Sequence, residues 1–141
     1  MSRTLVICKP DAVERGLVGE IVGRFERKGL RIAAAEVRII DAELAEKHYA
    51  EHITKPFYPS LVSYIGRSPS VIMVLEGPPG TWEIVRDMMG ATDPLKAAPG
   101  TIRGDLGLSI TENLIHGSDS EEAAEREIAL FFPALSTVPA N

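Results

Sequence analysis

The run TLVICK, residues 4–9, holds apolar and β-branched residues without a polar break until its lysine. A run so short and so continuous reads as a strand buried on both faces. A further run, SVIMVLEG (70–77), reads as another strand. LRIAAAEVRII (30–40) reads as a longer strand with charges at Arg31, Glu36 and Arg38, so one face or one end is wet. SITENLIH (109–116) carries the last strand.

Between the strands the period changes. Val18, Ile21, Val22 and Phe25 fall at i, i+3, i+4 and i+7, one face of a helix that stops at Lys28-Gly29. Asp41 is the expected cap of a helix over 42–51, and a second helical piece follows Pro56 and Pro59 up to Gly66. Thr81 is the expected cap of a helix over 82–89. Ala124, Ile128 and Phe131 or Phe132 mark a last helix over 121–131. Ser118, three residues before Glu121, has the spacing of its capping box, and Glu122 and Arg126 form an i,i+4 pair. Residues 90–107 show no period and read as a long functional loop.

The order is strand, helix, strand, helices, strand, helix, strand, helix. A parallel α/β sheet is one solution. A βαββαβ ferredoxin-like sandwich, with the helices of 41–66 inserted, fits the strand count better. At 141 residues the chain is expected to be one domain. Its net charge of -5 argues against broad nucleic-acid binding. One cysteine, Cys8, excludes an intrachain disulfide and a multi-cysteine zinc site. No run approaches the ~18 apolar residues of a membrane span, and nothing at the start reads as a signal peptide, so a cytoplasmic protein is expected.

His116 ends the last strand, with Gly117 beside it and a helix N-terminus just beyond. Such a helix end favours anions. Neutral imidazole is a nucleophile near pH 7. A carboxylate or carbonyl holding one ring nitrogen would leave the other outward, and either tautomer fits. Phosphoryl transfer also needs cations. Lys9 is out of pattern at its strand end, and Arg86, Thr92 and Arg103 lie in or beside the irregular segment. Two other readings fail. EGPPGTWE (76–83) lacks the second glycine, the lysine and the hydroxyl residue of an ATPase phosphate loop. His48 and His52 are i,i+4, but with no zinc-enzyme pattern and no third ligand nearby in sequence.

NLIHGSDS (113–120) resembles the signature of the nucleoside diphosphate kinases. CKPDAVERGLVGEI, FERKGL, HYAEH, KPFYPSLVSYI, VLEG, MMGATDP, APGTIRGD and AAEREIALFF follow in that family's order and spacing, so the resemblance spans residues 3 to 132. It implies the α+β ferredoxin-like βαββαβ sandwich, with a four-stranded antiparallel sheet and a helical insertion. It implies His116 as the phosphorylated nucleophile, oriented by Glu127 and Ser118. Lys9, Tyr49, Arg103 and Asn113 would surround the sugar and phosphates, Arg86 and Thr92 would hold the outer phosphates, and Phe57 would stack on the base. Asp119 would help hold Mg2+ through water. The implied reaction moves the γ-phosphoryl of a nucleoside triphosphate, mainly ATP, to nucleoside diphosphates by a ping-pong route with low base selectivity. The implied assembly is a homo-oligomer, tetramer or hexamer, with the 90–107 loop and the tail PALSTVPAN in contacts. No membrane and no specific nucleic acid is implied as a partner.

Overall fold

The computed structural model describes residues 1–135, so the last part of the tail lies outside the described residues. Four strands form one sheet: β1 (Ser2–Cys8), β2 (Arg31–Arg38), β3 (Ser70–Gly77) and β4 (Ile115–Gly117), in the order β2-β3-β1-β4. Every pairing is antiparallel, which excludes the parallel alternative. Leu5 faces Val74 and Ile7 faces Ile72, while on its other side Ile7 faces His116.

β1 is a central strand, and Leu5 through Cys8 are fully buried. Successive side chains point to opposite faces. Val6 and Cys8 join one core with Met73, Leu75, Ile21 and Phe25. Leu5 and Ile7 join the other with Ile72, Val74, Ile65, Ile128 and Phe131. This two-faced burial is why TLVIC shows no alternation. β2 is an edge strand, mostly exposed and with a register shift between Ile32 and Ala34, which explains its charges.

Helices cover both faces. The first core receives α1 (Pro10–Glu14), α2 (Val18–Lys28), α5 (Thr81–Met89) and α6 (Ile102–Leu106). The second receives α3 (Ala42–His48), α4 (Tyr58–Ile65) and α7 (Glu121–Phe131). Gly29 ends α2 with φ 101°, a conformation that costs glycine little. Asp41 caps α3 by accepting from the Leu44 amide at 2.9 Å. The result is the ferredoxin-like α+β sandwich with α3 and α4 between β2 and β3.

Several local expectations need correction. The last strand is only Ile115–Gly117, because the chain before it turns sharply at Leu114. The 90–107 segment contains α6, too short to show a period, with Thr101 accepting from the Gly104 amide. α1 is a further short helix that periodicity does not mark, although Pro10 at its first position is a favourable start. α3 stops at His48, and Ala50–His52 form a separate 3-10 turn. Gly80, at φ 84°, precedes α5, and the Thr81 hydroxyl donates to the Pro78 carbonyl. Ser120, not Ser118, caps α7 by accepting from the Ala123 amide at 3.0 Å. Arg126 lies 3.6 Å from Glu127 rather than pairing with Glu122.

Candidate active site

His116 sits in β4, and its position is fixed from both directions along the chain. Downstream, the Ser118 amide donates to the Leu5 carbonyl at 3.2 Å, and the Ser118 hydroxyl accepts from the Leu5 amide at 3.2 Å. Upstream, Leu114 has φ 74°, and the Ile115 amide donates across it to the Asn113 carbonyl at 2.9 Å. That is a γ-turn of the rare, strained kind.

Glu127 lies on α7, nearly two turns in, and is buried. Its Oε1 is 2.9 Å from His116 Nε2 and accepts from the Ser118 hydroxyl at 2.8 Å. Burial alone would raise the Glu127 carboxyl. The hydrogen bond and charge of His116, with the Ser118 bond, outweigh it and hold the group below the ordinary carboxylate range. An ionised carboxylate only accepts, so Nε2 carries a hydrogen, and in the neutral form of the ring it is Nδ1 that holds the lone pair. This decides the tautomer that the sequence left open. Ser118, freed from the cap expected of it, serves Glu127 instead.

A cleft of about 450 Å³ opens beside this ring, lined by His116, Arg86, Asp119, Tyr49, His52 and the first turns of α7. The unpaired amides of that helix end suit an anion. Arg86 Nη1 donates to the Gly117 carbonyl at 3.0 Å. Asp119 makes no hydrogen bond or ion pair among the described residues. It therefore offers a free oxygen donor of the kind Mg2+ takes, fitting an ion that arrives on phosphates.

The structure groups the remaining candidates next to the cleft rather than on its wall. Lys9 Nζ donates to Asn113 Oδ1 at 3.0 Å, and Asn113 Nδ2 donates to the Thr92 carbonyl at 3.1 Å. Burial, then the nearby Arg103, pushes the Lys9 ammonium down to about 8. Arg103 is buried and gives three bonds to the carbonyls of Asn113, Gly90 and Ile115. Burial, then Arg86, lowers its guanidinium to about 10. Phe57 is about half exposed, its ring 5.6 Å from that of His52. Burial, then Glu127, raises the Tyr49 hydroxyl to about 12.

Two functional-looking residues escaped sequence reasoning. His48 packs edge-on against the His116 ring at 4.7 Å and touches Phe131 at 5.5 Å. Burial, then His116, pushes it down to about 3, so it stays neutral. Its neighbours correct the pairing with His52: one donor atom from each of His48, His116 and Glu127 lies within 4.8 Å of the others. That nitrogen-rich set is unlike a magnesium site. In the sequence His48 showed only as the i,i+4 partner of His52. The second missed residue is Asp11, which accepts from the Leu114 amide at 3.0 Å and from the Tyr64 hydroxyl. A proline before it was its sole sequence signal.

Comparisons with known proteins agree with this fold. The family model for nucleoside diphosphate kinase matches residues 2–137. A nucleoside diphosphate kinase of Thermus thermophilus is 63% identical over 132 residues, covering 94% of this chain and 96% of the relative. That of Rhodococcus erythropolis is 61% identical over 137 residues, covering 96% and 98%. The solved structure of the halophilic enzyme from Halobacterium salinarum in complex with CDP has a TM-score of 0.92 at 53% identity, over 99% of this chain and 93% of that one. A nucleoside diphosphate kinase family protein from Babesia bovis gives 0.93 at 42% identity, over 100% and 95%. With the antiparallel sandwich and the His116–Glu127 pair in place, these matches mean that the chain belongs to the nucleoside diphosphate kinase family.

Proposed function

We propose that the chain, acting as one domain over residues 1–141, moves the γ-phosphoryl of ATP to nucleoside diphosphates in two half-reactions at His116. The observation that carries this reading is the His116–Glu127 bond, which ties up Nε2 and leaves Nδ1 as a lone pair on a ring lining the cleft. Nδ1 forms the new N–P bond while the bond from γ-phosphorus to the bridging oxygen breaks, and the diphosphate leaves with that electron pair. No proton has to move first. The ring gains positive charge as it is phosphorylated, and the Glu127 carboxylate beside Nε2 stabilises it. A second nucleoside diphosphate then attacks the phosphorus and restores neutral His116.

Arg86, Thr92 and Arg103 would hold phosphates, with the α7 N-terminus as a further anion seat. Lys9, Asn113 and Tyr49 would position the sugar and inner phosphates. Phe57 would stack on the base, and stacking tolerates any base, which supports low selectivity. Support for nucleotide binding also comes from the CDP held by the Halobacterium relative. Mg2+ would be carried on the nucleotide phosphates with Asp119 as a water-linked partner, neutralising their charge. Among the described residues no helix is long and apolar enough to cross a membrane. A cytoplasmic homo-oligomer, tetramer or hexamer, completes the proposal, with no membrane or specific nucleic-acid partner.

The test is label transfer. Incubation with γ-labelled ATP and magnesium should give an acid-labile, base-stable adduct that unlabelled GDP or CDP removes. His116→Ala should abolish it; label persisting in that variant refutes the assignment.

A further inference from the structure

We propose that Asp11 is a positioning residue for phosphoryl transfer: it holds the strained turn at Leu114 and through it sets the place of His116. The proposal rests on His116 being the nucleophile.

Leu114 is the only non-glycine residue with positive φ among the described residues, and it is fully buried. A bulky residue keeps such a conformation only where its surroundings over-determine it. Here they do. The Leu114 amide donates to Asp11 Oδ2 at 3.0 Å, and its carbonyl accepts from the Lys9 amide at 2.8 Å. Both ends of that residue are therefore gripped by the segment at the start of α1. Asp11 is itself 4% exposed and is held at its other oxygen by the Tyr64 hydroxyl. Arg103 takes the carbonyls on either side of the turn, those of Asn113 and Ile115.

Of these grips, Asp11 alone supplies an acceptor for the Leu114 amide. Remove it and a buried N–H loses its partner while the backbone is free to leave a strained well. Two residues matter next to the turn. Asn113 immediately before it bridges Lys9 and the Thr92 carbonyl. His116, two residues after it, faces Ile7 across the sheet and meets Glu127. A shift of the turn moves both relative to the cleft, and a misplacement of about 1 Å at a reacting group costs on the order of 100-fold in rate. Asp11 touches neither the ring nor the cleft wall; apart from its charge acting on the nearby Lys9, its influence on His116 runs through the backbone.

The experiment compares Asp11→Ala, the conservative Asp11→Asn, Leu114→Gly and the double variant Asp11→Ala/Leu114→Gly, each verified as folded by near-ultraviolet circular dichroism. One readout is the single-turnover rate of labelling by γ-labelled ATP. The other is the nitrogen NMR spectrum of the His116 ring, which needs no labelling. Asp11→Ala should slow labelling roughly 10- to 100-fold and disturb the Nε2–H signal of the bond to Glu127. Asp11→Asn, which keeps an amide oxygen for Leu114, should recover most of the rate. Glycine adopts positive φ without strain, so in the Leu114→Gly background the loss of Asp11 should cost far less. An equal cost in both backgrounds overturns the proposal, because Asp11 would then not act through the turn. Should Leu114→Gly not fold, an unchanged ring spectrum in Asp11→Ala overturns it just as well. If His116 proves not to be the labelled residue in the unmodified protein, the earlier reading fails, while the ring spectrum still reports whether Asp11 sets its position.

Discussion

Glu127→Gln tests the electrostatic part of the mechanism with little change of shape. In the folded chain Glu127 Oε1 meets His116 Nε2 at 2.9 Å and the Ser118 hydroxyl at 2.8 Å, and the residue is 4% exposed. Glutamine can still offer one oxygen, but not the charge. Hydrogen bonds to a charged group are worth about 1.5–3 kcal/mol, against about 0.5–1.5 for neutral ones. In the mechanism proposed above, the bond matters most when Nδ1 has bonded to phosphorus and the ring is positive. Exchanging the charged bond for a neutral one there loses about 1–1.5 kcal/mol, which at about 1.4 kcal/mol per decade lowers the labelling rate roughly 5- to 12-fold. Rapid-quench mixing with γ-labelled ATP measures that rate, and calorimetric titration with ADP measures binding in parallel. Binding should change little, because Glu127 is buried and its Oε1 is already engaged by His116 and Ser118. A slowing below about threefold, or an effect carried wholly by ADP affinity, would refute the idea that the carboxylate stabilises the ring in transfer.

Two further outcomes follow from other groups. His48 is held neutral in the fold, down to about 3 from an ordinary 6.5. The unfolded chain therefore binds the extra proton between those values, so stability falls as pH drops from about 6.5, by up to about 1.4 kcal/mol per pH unit. Urea unfolding at pH 7 and pH 5 should show this loss, and His48→Gln should flatten it; an equal slope in the variant assigns the acid sensitivity elsewhere. A Cβ at Gly104 would collide with the Ala98 carbonyl oxygen, a backbone atom that cannot swing aside. Gly104→Ala should thus cost about 1–3 kcal/mol in urea unfolding and disturb Arg103 next to it. A variant as stable as the parent would mean that α6 can shift freely.

The architecture was readable where burial imposes a period. Val18, Ile21, Val22 and Phe25 marked α2, whose Ile21 and Phe25 are buried, and SVIMVLEG coincides with β3 residue for residue. It failed where elements are set by single bonds instead. α1 and α6 have five residues each, too few to show a stripe. Ser118 and Ser120 both precede α7, and spacing favoured the wrong one, because nothing local says that Ser118 is needed by Leu5 and Glu127. The neighbourhood of the site residues came from family resemblance, not from pattern. The His116–Glu127 pair spans 11 positions, but Lys9 and Asn113 meet across 104 and Leu114 and Asp11 across 103.

The places where local rules break also converge. Lys9 interrupts an apolar run, Leu114 takes a glycine-like backbone, Arg103 is a buried cation, and His48 is a buried imidazole with an unpartnered Nδ1. Each is unfavourable alone, and a chain selected only for stability would replace them with apolar residues. Around β4 they compensate one another instead. Arg103 satisfies the carbonyls on either side of the Leu114 turn, Asn113 ties Lys9 to the loop, and Glu127 answers both His116 and Ser118. A network of this kind is rigid because no member can move without leaving a buried polar group unpaired. Rigidity suits the transfer proposed above, in which the same histidine would meet a triphosphate and then a diphosphate in one geometry. The strained turn and the depressed lysine thus belong to one device, in which stability is given up at individual residues and recovered as fixed placement of the ring nitrogen.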